Sequence, residues 1–157
     1  MSTTTEAAHE TESTPGNWRA GVVAGIAGGI AMGVLVVAMN EPTIAVAIPS
    51  LYGLAPPAAP AAGLAVHISH GAVLGVVFAG IAGMSGIEDA PKLIGAGAAW
   101  GVATWAVLAA LVMPLWLGAV GSPASPPFPN FAPPSLLWHV AYGLVLGGVY
   151  AATDDSV

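Results

Sequence analysis

His67-Ile68-Ser69-His70-Gly71-Ala72-Val73-Leu74-Gly75-Val76-Val77-Phe78-Ala79 is the stretch on which the fold turns. Apolar and polar residues do not alternate in it, so it does not read as a strand of a membrane barrel, which alternates every second residue over stretches of about ten. Followed outward, the apolar run extends from about Ala61 to Met84 with no acid or base inside it. A helix needs about 20 such residues to cross a bilayer. His67, Gly71 and Gly75 are spaced by four and fall on one stripe of that helix.

The pattern returns 72 residues later as His139-Val140-Ala141-Tyr142-Gly143-Leu144-Val145-Leu146-Gly147-Gly148-Val149-Tyr150-Ala151, with seven of thirteen positions identical. At the same offset Ala24, Gly25, Ala27, Gly29 and Ala31 match Ala96, Gly97, Ala99, Gly101 and Ala103, and Pro42 matches Pro114. Repeats of this kind are to be sought before other features. The chain therefore reads as a duplication of a two-span unit. Four spans are expected: Arg19 to about Met39, Ala61 to Met84, Leu93 to Met113 or as far as Leu117, and Ser135 to Ala152. The expected class is all-α, a polytopic membrane protein of four transmembrane helices arranged as a tandem parallel two-helix repeat. Two spans per unit give both halves the same orientation, related by a pseudo-twofold axis along the membrane normal.

The organisation that follows is an acidic, disordered tail over 1–18, repeat one over 19–84, repeat two over 91–152 and an acidic C-terminal tail over 153–157. The tail has no Lys or Arg before Arg19 and no signal-peptide pattern, so the first apolar stretch is expected to remain in the mature protein. The connections Pro42–Pro60 and Pro114–Pro134 are proline-rich and read as extended or sharply turned, with at most a short interfacial helix around Thr43–Leu54. Trp18, Trp116 and Trp138 fall at span ends, where indole rings favour the headgroup zone.

Composition supports this class. The 157 residues include 2 basic and 8 acidic ones, 6% charged and 56% hydrophobic. A typical soluble domain is about 25% charged. A soluble enzyme and a nucleic-acid binder, which needs a basic face, are excluded. Cysteine is absent, and with it any disulfide or thiolate site. Arg19 and Lys92 precede the first and third spans and so lie on one side, which the positive-inside rule makes cytoplasmic. A multi-pass protein of the cell membrane with both termini in the cytoplasm is expected. Acid-rich, lysine-poor polar segments point to a salt-loving host.

Glycine stripes give each helix a close-packing face, because lipid provides no hydrophobic drive for association and small residues let backbones approach. They comprise Gly21, Gly25, Gly29 and Gly33 on the first span, Gly71 and Gly75 on the second, Gly97 and Gly101 on the third, and Gly143 and Gly147 on the fourth. His67, His70 and His139, with Glu41 at the end of the first span, are the candidate ligands. An intramembrane polar side chain is a functional hypothesis because its desolvation is costly unless it is paired. Four uses stand open. His67 and His139 could ligate the iron of haem b from two faces, although close-packed glycine stripes leave no room for a macrocycle. The three histidines and Glu41 could hold copper or zinc. Neutral histidines could relay protons or line a solute path. Each ring could also serve packing alone, bonded to a neighbouring carbonyl.

No phosphate-binding loop, H-E-x-x-H or nucleophile elbow occurs, so no enzymatic activity is expected. The repeated H-x-x-[HY]-G-x-V-L-G-x-V-[FY]-A pattern resembles small uncharacterised four-span membrane proteins of halophilic archaea. The resemblance covers the spans, rests on Gly, Ala and one repeated histidine, and implies no activity. The leading reading is a non-enzymatic membrane protein, an accessory or assembly subunit of a larger membrane complex such as a respiratory one. The alternative is a small haem- or metal-binding redox protein, or a proton or solute pathway, centred on the histidines. Expected partners are the lipid bilayer and other membrane subunits or further copies of the chain, not nucleic acid.

Overall fold

A computed structural model describes residues 16–156, so most of the expected N-terminal tail lies outside the described residues. Four helices are long and apolar enough to span a membrane: α1 (Trp18–Ser50), α2 (Pro60–Met84), α3 (Ala90–Ala119) and α4 (Pro133–Thr153). No strand occurs among the described residues. The chain is thus an all-α protein with the build of a multi-pass membrane protein. The shortest helix, 21 residues, rises about 32 Å at 1.5 Å per residue, close to the thickness of a hydrocarbon core. Proline opens α2, α3 and α4 at their first or second positions, where its missing N–H leaves no intrahelical bond unmade. Asn17 caps α1, its Oδ1 accepting from the N–H of Arg19 at 3.1 Å and of Ala20 at 3.2 Å. The Asn17 amide also donates to the carbonyl of Asp154 at 2.8 Å, tying the start of α1 to the end of α4. Both described chain ends therefore lie at one end of the bundle, and the two long loops at the other.

Two expected loops begin later than the prolines suggest. The chain does bend near Pro42, at Asn40, whose φ of −157° and ψ of 67° are not helical. Helix then resumes through a π-helical turn, Thr43–Ala47, to Ser50. In α3 a π-helical stretch, Trp105–Val112, leads into Met113–Ala119. Pro49 and Pro114 lie inside these helical continuations. Proline has no N–H for the carbonyl four residues back, here Ala45 and Ala110. Both carbonyls find donors in the returning loops: Ala59 N–H at 2.8 Å and Asn130 N–H at 2.9 Å. An unsatisfied backbone group in a bilayer costs several kcal/mol, so these two bonds allow proline inside the spans and fasten each loop to the helix it leaves.

The packing order is α2–α1–α4–α3, with three close seams and slight contact between α2 and α3. Glycines make two of the close seams. A Cβ placed on Gly71 would lie 2.7 Å from the carbonyl oxygen of Gly25, and one on Gly21 would lie 2.6 Å from that of Gly75. Between α3 and α4, a Cβ on Gly97 or Gly143 would collide with the other's carbonyl, and one on Gly101 with that of His139. The α1–α4 seam uses Gly28, where an added Cβ would meet the Tyr142 carbonyl at 2.8 Å. Near the chain ends the centre is filled by Ala20, Ala24, Phe78, Leu93, Leu146 and Tyr150. Phe78 and Tyr150 meet edge to face at 5.6 Å.

The α1–α2 seam loosens around Gly29 and Gly33 and closes again at the loop end, where a Cβ on Gly63 would collide with the Ile44 carbonyl. At Gly29 an added Cβ would find its nearest neighbour at an ordinary 3.4 Å, and at Gly33 the neighbour is the ring of His67 at 3.3 Å. Larger side chains take over here: Val36, Ile44, Ile48 and Trp138 form a second apolar cluster. Trp138, expected in the headgroup zone, is only 6% exposed, and its Nε1–H points at the sulfur of Met39 at 3.1 Å. Trp18 and Trp116 are more than half exposed.

Candidate functional site: a histidine-lined cavity

Beside this looser stretch, a cavity of about 1020 Å³ opens between all four helices, roofed by parts of both loops. Small-molecule and cofactor sites run to about 300–1,000 Å³. His67, His70 and His139 all line it. The glycine stripes close each helix pair without filling the space between the pairs, so the expectation that they leave no room for a macrocycle does not hold by volume at this end. Met32, Val36, Leu74, Leu108 and Val112 make much of the wall apolar, and no Asp, Glu, Lys or Arg lines it.

Each histidine is held by one defined bond. His67 is buried on α2 and its Nε2 lies 3.1 Å from the carbonyl oxygen of Gly29 on α1. A carbonyl only accepts, so this nitrogen carries the hydrogen. The ring fits there because Gly33 offers no Cβ against its Cδ2 edge. Nδ1 of His139 donates in the same way to the Ser135 carbonyl, one turn back on α4, at 2.7 Å. His70 is half-buried and its Nε2 lies 2.7 Å from the hydroxyl of Tyr52, a residue just past α1. In a neutral imidazole one nitrogen donates and the other accepts. His67 therefore keeps a lone pair on Nδ1 and His139 keeps one on Nε2.

Three polar residues around them are engaged as well. Tyr142, in the position corresponding to His70 at the 72-residue offset, donates from its hydroxyl to the Gly71 carbonyl at 2.9 Å, linking α4 to α2 across the bundle. Ser135 donates to Ala132 O at 2.8 Å and accepts from Trp105 Nε1 at 2.9 Å. The Thr104 hydroxyl lies 3.0 Å from the carbonyls of Trp100 and Gly101. Tyr52, Tyr142, Thr104 and Ser135 are wall residues that a search for intramembrane histidines does not reveal. Their signal was polarity within or beside an apolar run, which is also common in packing positions.

The candidate ligand Glu41 does not join the histidines. It is exposed and does not line the cavity, whereas its neighbour Asn40 does. The bend at Asn40 breaks the helical register that would have carried Glu41 on toward the histidine face. Among the described residues no group of three or more His, Cys, Asp or Glu is placed to hold a metal ion, because each histidine is drawn to a different anchor. The residues also fit haem b poorly. His139 offers Nε2, but His67 has Nε2 engaged and offers only Nδ1, the nitrogen nearer its own backbone, and the wall has no Lys or Arg for the two haem carboxylates. A path across the bilayer would have to continue through the half near the chain ends, where the aromatic and aliphatic cluster around Phe78 and Tyr150 fills the centre.

No family model matches the chain, and neither do any curated protein or any solved structure. The functional reading therefore rests on the site itself.

Proposed function

We propose that this chain is a non-enzymatic integral membrane subunit, accessory to a larger membrane complex, that holds a small apolar molecule in the histidine-lined cavity. One observation carries the reading: a cavity of about 1020 Å³ at one end of the bundle, mostly apolar, with a few anchored polar groups, which is the make-up of a ligand pocket rather than of a packing void. The accessory role is supported by what lies outside the cavity. Trp18, Val23, Ile30 and Val34 on α1, and Val77 and Met84 on α2, are exposed, and the described chain forms no polar domain beyond the bundle.

The two halves, 19–84 and 91–152, are read as a duplication. Support comes from the glycine contacts Gly25–Gly71 and Gly97–Gly143, which occupy corresponding positions at the 72-residue offset. Termini in the cytoplasm and a salt-loving host remain the readings of the charge pattern. Purification of the tagged chain from its own membranes in mild detergent, followed by solvent extraction and identification of co-purifying polypeptides, tests the proposal. The expected result is one apolar small molecule per chain and a partner polypeptide at fixed ratio. A lone chain carrying only bulk lipid overturns it.

A further inference from the structure

We infer that the cavity selects an apolar molecule bearing hydroxyl groups, of the hydroquinone class, over the same molecule bearing carbonyl or ether oxygens. The inference rests on the ligand-holding reading above and adds the ligand's hydrogen-bonding character.

The argument is a count of donors. His67 and His139 give their N–H to the carbonyls of Gly29 and Ser135. The hydroxyls of Tyr142, Ser135 and Thr104 point to backbone carbonyls. The indole N–H of Trp138 is taken by the Met39 sulfur. What these wall residues retain is acceptors: two imidazole lone pairs, one from α2 and one from α4, and hydroxyl oxygens. The Cδ2–Nε2 edge of His67 lies against Gly29 and Gly33 on α1, which places Nδ1 on the ring edge away from α1. Nδ1 of His139 is folded back on its own helix, so Nε2 is at the far tip of the ring. Donors remain on Asn40, Thr43, Ser125 and Asn130 and in the His70–Tyr52 pair, all half-buried or exposed rather than deep.

A ligand oxygen without a hydrogen would meet lone pairs at both imidazoles, leaving each buried acceptor unmatched. A molecule with two hydroxyls can give one to each. Water is the competing donor, but the largely apolar wall gives it few of the further polar partners that a buried water needs. Entry is available from the side. α2 and α3 touch only slightly, and Val73, Leu108 and Val112, which line the cavity, are exposed along that opening. A smaller cavity of about 290 Å³, lined by Phe78, Ile81, Ala96 and Trp100, lies along the same α2–α3 side and suits an apolar tail.

The test uses the full chain, delipidated in detergent, and three probes with the same short alkyl tail: a benzohydroquinone kept reduced, its benzoquinone and its dimethyl ether. Binding is followed by calorimetry. The hydroquinone is expected to bind about tenfold more tightly than either of the others, the effect of roughly one hydrogen bond. His67→Phe and His139→Phe should each narrow that preference, weakening the hydroquinone and not the quinone, which no longer leaves that acceptor unmatched. The two donor-free probes make the comparison on the unaltered protein, so a variant that fails to fold leaves the test intact. Equal or tighter binding of the quinone or the ether overturns the inference and leaves the ligand-holding reading standing. Absence of binding by all three overturns both.

Discussion

Two glycines on α3, two residues apart, should respond in opposite directions to the same methyl group. A Cβ on Gly97 would collide with the Gly143 carbonyl and stand 2.9 Å from Gly147 N and 3.0 Å from Gly147 Cα. All of these are backbone atoms, and none can rotate away. Carbon contacts are best at about 3.5–4.0 Å, so α3 and α4 would have to part by about an ångström, loosening neighbouring contacts along the seam. Overpacking of this kind costs about 1–3 kcal/mol. A Cβ on Gly95 meets nothing within 4 Å. Gly95→Ala keeps only the gain from replacing a helical glycine, about 0.5–1 kcal/mol. Gly97→Ala has the same gain set against the collision. The two variants should therefore differ by about 1–3 kcal/mol, with Gly97→Ala the less stable. The assay is loss of helical signal on titrating sodium dodecyl sulfate into mixed micelles. Gly143→Ala on top of Gly97→Ala should cost less than on its own, because both act on one contact. Equal stability of Gly95→Ala and Gly97→Ala would refute the close backbone approach, and with it the account of how the helices pair.

Three further outcomes follow from the same geometry. Tyr142→Phe removes the hydroxyl that bonds Gly71 O across the bundle and should lower stability in the same titration by about 0.5–1.5 kcal/mol. Pro114→Ala restores an N–H that competes for the Ala110 carbonyl, so the Asn130 amide, now bonded there, should exchange its hydrogen faster by mass spectrometry; unchanged exchange would contradict the clamp. Gly28→Ala should destabilise the bundle through the Tyr142 backbone and ring, by about 1–3 kcal/mol, whereas Gly80→Ala, with open space around its Cβ, should not; similar behaviour of the two would show that α1 and α4 are not in close contact.

The four helices were legible because a span is a property of length and apolar content, which sum along the chain. What faces what was less so. Trp138 shows the reason: its position along α4 marks the end of an apolar run, but burial depends on which way that side of the helix turns, and it turns toward Met39 and Val36. Pro49 and Pro114 show another. Read locally, each is a helix breaker, and only partners in the returning loops, Ala59 and Asn130, make them admissible. The histidines announced themselves as polar residues in apolar runs. Their separate anchors did not, since two are backbone carbonyls, which every residue carries. Asn40 and Glu41 were indistinguishable until the bend placed one on the cavity wall and left the other exposed.

The cavity and the tight seams have a common origin in a gradient of side-chain size. Toward the chain ends, glycine faces glycine within each helix pair, and Phe78 and Tyr150 fill the middle. Toward the loops, the α1 stripe continues through Gly29 and Gly33, but what faces it is His67, while Trp138 and Met32 stand where smaller residues would let the pairs close. Each pair stays closed at Gly63–Ile44 and at Gly101–His139, so the space opens between the pairs rather than within them. The π-helical stretches lie in the loop half of α1 and α3, where the loops bond the carbonyls that Pro49 and Pro114 leave free. A wedge made of imidazoles, whose hydrogens are directed at backbone, leaves lone pairs in the space it creates. Packing alone could have used leucine at both histidine positions and avoided the desolvation of a polar ring. Under the proposed function, the placement of both histidines on the cavity wall follows from what the space receives.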